Sequence, residues 1–159
     1  MWRQGILAAV LVLAVDQFSK WWLIGLLQAY PHGLAITPFF NLVPVWNRGV
    51  SFGIFNAGDG GQKFWLIGVA GVMTAALAIW LARVGRLVLA IAIGMIIGGA
   101  LGNVVDRLRF GAVADFFDFH LAGWHWPAFN FADSAIVLGV AVLLIDSLFG
   151  GSERAKTSP

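Results

Sequence analysis

The sequence predicts an integral membrane protein, mainly α-helical, with four transmembrane helices and a small β-rich segment on the outer membrane surface. Three observations carry this. Of 159 residues, 60% are hydrophobic and 11% charged, against about 25% charged in a soluble domain, and the mean hydropathy is +0.85. Four segments, 6–27, 64–81, 87–105 and 131–149, are long and apolar enough to cross a hydrocarbon core that needs roughly 20 helical residues. Between the first two lies "LAITPFFNLVPVWNRGVSFGIF", aromatic, β-prone and punctuated by Pro38 and Pro44, which reads as short surface strands that Pro confines to edges and turns.

The four spans form one membrane domain, 1–159, with connections at 28–61 and 106–130 and a tight turn, "ARVGR", between spans two and three. The N-terminal run resembles a signal peptide, but it continues into Asp16, Gln17 and Lys20 without a small-x-small cleavage site, and is read as a retained first span. Arg83 and Arg86 occupy the shortest loop, where the positive-inside rule is strongest. Six of the eight acids (Asp16, Asp59, Asp106, Asp115, Asp118 and Asp133) fall on the opposite side. Both termini are therefore expected in the cytoplasm and both longer loops outside, with Trp21, Trp22, Trp46, Trp124 and Trp126 at the outer interface, a depth that suits amphipathic rings. A net charge of +2, without basic runs, excludes a nucleic-acid partner, and the absence of cysteine excludes disulfides and thiolate chemistry.

The polar residues inside this apolar chain are the candidates for function. Asp16 and Lys20 lie at i, i+4 within span one, where a charge costs about 2.5–3.5 kcal/mol; they form either a structural pair or part of a polar cavity. Gly94, Gly98 and Gly102 repeat every fourth residue, a stripe that lets a neighbouring helix approach closely. Gly99, Asn103 and Arg107 form a second stripe, with Asp106 beside it. Arg107 alone could be an interfacial snorkelling residue, but that leaves Asn103 and Asp106 unexplained. Asp115 and Asp133 flank the second outer loop, which joins antiparallel spans and can bring its ends together. Asp133 could instead sit at N3 of span four with Asn130 as N-cap, and Asp115 could be a loop acid. As a close pair in a low dielectric, the two would share a proton, and such a pair can activate water and polarise an amide carbonyl.

Weaker patterns compete. "GVSFG" at 49–53 fits the nucleophile elbow around Ser51, but that motif needs an α/β sheet. His120 and His125 with Asp115 and Asp118 could bind a metal, although their spacing matches no helical metal motif. A serine- or metal-dependent membrane hydrolase is one alternative. A non-enzymatic four-helix transporter or channel, with Asp16, Lys20, Asp106 and Arg107 as a relay, is another, but the acids gather at one membrane depth rather than crossing it.

Taken together, "DQFSK" at 16–20, "NRGVSF" at 47–52, "GGALGNVVDR" at 98–107, "VADF" at 113–116 and "FNFAD" at 129–133 resemble the motifs of the lipoprotein signal peptidase (signal peptidase II) family, bacterial membrane aspartyl endopeptidases. The resemblance covers nearly the whole chain. It implies a substrate whose lipobox cysteine already bears a diacylglyceryl group, cut just before that cysteine to release the signal peptide. It implies Asp115 and Asp133 as the catalytic pair. Asp16, Lys20, Asn47, Arg48, Gly99, Asn103, Asp106, Arg107, Asn130 and Ala132 would position the pair and the substrate. The β-rich outer loop would be a cradle on the membrane surface. The family further implies the bacterial plasma (inner) membrane, a site near the outer face, a monomer in contact with membrane lipid, inhibition by globomycin, and no metal or cofactor.

Overall fold

The computed structural model describes residues 1–49 and 61–149; Ser51 and the rest of "GVSFG" beyond Gly49 lie outside them, as do Asp59, Arg154 and Lys156. The elements follow in the order α1 (Trp2–Leu27), β1 (Leu34–Thr37), β2 (Phe40–Asn47), α2 (Gly61–Arg83), α3 (Leu87–Phe110), β3 (Val113–Leu121), β4 (Trp124–His125) and α4 (Phe131–Phe149). All four helices are long and apolar enough to span a membrane.

Helix α3 is the axis of the bundle, packed against α1, α4 and α2. Its small residues make that position accessible. A Cβ on Gly94 would meet the backbone carbonyl of Gly5, and one on Gly98 that of Ala9, so one glycine stripe faces α1. A Cβ on Gly99 would lie 2.5 Å from the carbonyl oxygen of Ala132, so the next position faces α4. Backbones can approach this closely only where no side chain intervenes. The apolar core of the bundle joins Ala9 and Leu81 to Ala90, Ile93 and Ile97 of α3. Helix α2 has Leu81 as its one buried residue among those described, and it presents Val69, Val72, Met73 and Ile79 outward, a surface that hydrocarbon accepts as readily as a protein core does.

Helix α1 starts four residues before its expected span, and α2 starts three before and ends two after its own; larger differences occur in two places. Helix α3 runs past Val105 to Phe110, so Asp106, Arg107 and Arg109 are helical rather than part of a loop. It stops at Gly111, whose φ of +75° is the left-handed cap conformation and whose N–H bonds to the Arg107 carbonyl at 3.1 Å. The second connection is not a plain loop either. After Gly111 the chain forms the nine-residue strand β3, and the four antiparallel strands lie side by side in chain order. Pro38 falls in the β1–β2 turn, and Pro44 falls in β2 where the pairing register shifts between Leu42 and Val45, the kind of interruption that tolerates a missing N–H.

Side chains alternate across β3. Ala114 and Phe116 pack on Leu23 and Leu27 near the C-terminal end of α1. Asp115 projects to the other face, where β2 supplies Asn47. The sheet is thereby fixed to the bundle through one face and offers its other face to the N-terminus of α4.

Gly98→Leu should disrupt the bundle, because the new side chain must displace the α1 backbone; overpacking of this kind costs about 1–3 kcal/mol or more. Gly68→Leu on α2, where an added Cβ meets nothing within 4 Å, should be tolerated. Thermal unfolding in detergent checks this, and equal midpoints for Gly98→Leu and the parent would show that the α1–α3 crossing is not as close as described.

Candidate active site

The site is built outward from a cation buried in α1. The Lys20 side chain is 3% exposed and bridges Asp16 at 2.9 Å and Asp106 at 2.8 Å, themselves 0% and 1% exposed. A buried charge is tolerable only when paired and hydrogen-bonded, and these carboxylates are used fully. Asp16 also accepts the N–H of Ala132 at 3.0 Å, one of the open donors in the first turn of α4. Asp106 also accepts the N–H of Ala114 at 3.1 Å, which fixes the start of β3. Gln17 ties the two acids together, donating to Asp16 at 3.1 Å, to Asp106 at 3.1 Å and to the Gly102 carbonyl at 3.3 Å.

Lys20 makes one more bond, to Oδ1 of Asn103 at 3.1 Å. That fixes the Asn103 amide: with its oxygen on the ammonium, its nitrogen is turned to Asp133 and donates at 2.8 Å. Asn130 completes the frame. Its Nδ2 donates to Asp115 at 2.7 Å and lies 3.3 Å from Asn103 Oδ1. Its Oδ1 accepts the Asp133 N–H at 3.0 Å, while its own N–H donates to Asp133 Oδ2 at 3.2 Å. The reciprocal pair is a capping box with Asp at N3, so the capping arrangement anticipated for Asn130 and Asp133 is present. Asn130 touches both carboxylates, and Asn47 donates to Asp115 from the sheet side at 3.1 Å.

Asp115 is 1% exposed. Burial pushes its carboxyl up to about 6; the Asn47 hydrogen bond opposes this, the charge of Asp133 adds to it, and Asn130 and Lys20 oppose it. Asp115 is thus a sheltered carboxyl with Asp133 as an electrostatic neighbour.

Eight expected residues thus form one connected cluster: Asp16, Lys20, Asn47, Asn103, Asp106, Asp115, Asn130 and Asp133. Gly99 and Ala132 enter it as the close α3–α4 contact that brings the start of α4 against α3. Arg107 lies at its edge, with Asp133, Asp115 and Asp106 as charged neighbours. Its Nη1 donates to the Asn103 carbonyl at 3.3 Å, and its buried Nε has no hydrogen-bond partner among the described residues. Arg48 is not brought in: it is exposed just past the end of β2 and makes no hydrogen bond or ion pair among the described residues. Gln17 was not singled out by sequence, although a polar residue next to Asp16 inside a span was the available signal.

The remaining acid of the loop, Asp118, projects to the opposite sheet face from Asp115. It accepts from Asn41 at 2.9 Å and pairs with His125 Nδ1 at 2.8 Å. Burial pushes its carboxyl up, but the His125 and Asn41 hydrogen bonds outweigh that and hold it below the usual carboxylate range. His120 stacks on His125 with centroids 4.8 Å apart. Among the described residues no group of three or more His, Asp or Glu is placed to hold a metal.

The Asp115 shift has a consequence for stability. Its folded-state value, about 6, lies above the ordinary 3.8, so the native state gains over the unfolded one below pH 4 and loses that gain as pH rises through 6. The stability of the parent relative to Asp115→Asn should therefore fall between pH 4 and pH 7, by up to about 3 kcal/mol. Unfolding of both proteins in detergent across that range measures it, and a difference that stays flat or rises would contradict the burial of Asp115.

Comparison with known proteins identifies the family. A sequence profile described as signal peptidase (SPase) II matches residues 8–149. The chain is 49% identical over 155 residues to the lipoprotein signal peptidase of Rhodopseudomonas palustris (strain TIE-1), covering 93% of each chain. It is 46% identical over 149 residues to that of Methylorubrum extorquens (strain PA1), covering 92% of this chain and 86% of the relative. A solved bacterial membrane enzyme, determined by the in meso method at 1.9 Å resolution, superposes with a TM-score of 0.78 at 29% identity, covering 91% of this chain and 92% of that one. The four spans, the polar cluster and these likenesses agree: the chain belongs to the signal peptidase II family and is a multi-pass membrane protease.

Proposed function

We propose that this protein removes the signal peptide from diacylglyceryl-modified prolipoproteins, hydrolysing the peptide bond before the lipidated cysteine with Asp115, Asp133 and one water. The observation that carries the reading is the position of Asn130, whose side chain holds Asp115 while its amide and backbone hold Asp133. Two acids tied to one asparagine in a sheltered site act as a pair that retains a single proton. The ionised member takes a proton from water as the water oxygen bonds to the scissile carbonyl carbon. The protonated member donates to the carbonyl oxygen. Collapse of the tetrahedral intermediate breaks the C–N bond: the nitrogen leaves with the proton taken from water, and a hydroxyl proton of the intermediate returns to the other aspartate, restoring the singly protonated pair.

The rest of the cluster serves this chemistry by position. Asn47 donates to Asp115 and Asn103 to Asp133. Arg107 places its positive charge beside Asp133, Asp115 and Asp106 at the edge of the cluster. Arg48, exposed past the end of β2, meets substrate rather than the pair. The sheet is the cradle on the outer surface of a bacterial plasma membrane, with both termini cytoplasmic, and the protein works there as a monomer. A globomycin-type inhibitor competes with substrate at the same two acids.

Cleavage of a diacylated prolipoprotein by the purified protein tests the proposal. Asp115→Asn and Asp133→Asn should each reduce turnover at least roughly a thousandfold, and the double variant should be little worse, because the two act as one unit. Ser51→Ala and strong chelation should leave most activity. A reporter active only in the cytoplasm should work after Arg83 and be silent at Gly123. If Asp133 only caps α4, Asp133→Asn will lose about 0.5–2 kcal/mol of stability and keep near-normal cleavage, and that result would sink the pair.

A further inference from the structure

We infer that the sheet face opposite the acidic pair binds one glycerophospholipid molecule through its phosphate and the upper part of its acyl chains. The face is defined by strand alternation. Where Asp115 and Asn47 point towards α4, their neighbours Ala114, Phe116 and Trp46 line a groove of about 410 Å³ with Val45 and with Ile24 and Leu27 of α1. Its lining is mainly apolar, with Gln28 the polar side chain in it, and its floor is the junction of α1 with the sheet.

The depth of the groove argues for a lipid. Helices α1 and α3 have 26 and 24 residues, about 39 and 36 Å at 1.5 Å per residue, against roughly 30 Å of hydrocarbon. Their outer turns therefore reach the headgroup layer, and the groove begins at the last turn of α1. A lipid seated there has its glycerol in the groove and its chains running down the exposed side of α1.

The charge argues for a phosphate. Phe110, the last residue of α3, packs on Trp46 with ring centroids 5.3 Å apart. The Arg109 guanidinium lies 5.0 Å from the Phe110 ring centre. Arg109 is exposed and makes no ion pair or hydrogen bond among the described residues. A guanidinium stacked on an aromatic face keeps its in-plane N–H groups free, the geometry that recognises phosphate. Cation, aromatic pair and apolar groove thus follow one another in the order of a phospholipid's phosphate, glycerol and chains. A bound lipid would brace the β2–β3 ladder from behind, on the strands that carry Asn47 and Asp115.

Native mass spectrometry of the delipidated full chain tests this, with dioleoyl phosphatidylglycerol and, separately, dioleoylglycerol, which lacks the phosphate. The parent should retain one phosphatidylglycerol and no dioleoylglycerol. Arg109→Gln, a surface change, should retain it about fivefold less, the factor carried by one basic residue at an anionic lipid surface. Arg83→Gln at the other end of the bundle should bind as the parent does. Quenching by phosphatidylglycerol brominated on its acyl chains should be smaller in Trp46→Phe. Equal retention by Arg109→Gln, equal retention of dioleoylglycerol, or quenching unchanged in Trp46→Phe would each overturn the assignment.

Discussion

The burial of Lys20 is the constraint on which the rest of the site depends. An ammonium inside a membrane bundle needs compensation, and the chain supplies it from two elements: Asp16 one turn away on α1, and Asp106 on α3. Each acid also accepts a backbone N–H near the start of another element, Asp16 that of Ala132 in α4 and Asp106 that of Ala114 in β3. One buried charge thereby sets the relative positions of four segments. The third Lys20 contact, to Asn103, orients the amide that holds Asp133. Buried ion clusters are weak sources of stability; here the cluster specifies position.

Two close approaches make that geometry reachable. The glycines of α3 let α1 come near enough for Lys20 to meet Asp106, and Gly99 lets the start of α4 come near enough for Asn130 to reach Asn103. The β-sheet adds a separation of roles by face. Hydrophobic contact with α1 occupies one side of β3, and Asp115 occupies the other, so the acid is carried on a strand already held by the bundle. Asn130 spans the remaining gap, capping its own helix while bonding to an acid on the sheet. Helix capping and site assembly use the same side chain.

Much of this was legible in the sequence because it is written in local patterns. Hydropathy marks four spans, the Gly94, Gly98, Gly102 spacing marks a helix contact, and a charged pair inside a span marks a polar interior. The resemblance then drew together motifs that are far apart in the chain. Strand β3 was not legible: its acids at 115 and 118 break an otherwise apolar run, and its pairing partner, Asn47 opposite Val113, is distant in the sequence. The C-terminal end of α3 reads as loop in the sequence because its last turn is charged; the stop signal, Gly111, lies four residues beyond Arg107. Gln17 is hard to read from the sequence because Asp16 and Lys20 beside it already compensate each other. Arg48 shows the converse limit, since a motif position does not tell whether a side chain joins the polar network or stands outside it.

Comparing the stability of two variants in detergent tests the dependence on Lys20 most directly. Lys20→Met leaves Asp16 and Asp106 buried without their cation, and should cost about 3–5 kcal/mol together with turnover. The triple change Asp16→Asn, Lys20→Met, Asp106→Asn removes the charges together while keeping an acceptor for Ala132 and for Ala114, and should recover most of the lost stability. A Lys20→Met protein as stable as the parent, or a triple variant no more stable than Lys20→Met alone, would contradict the account.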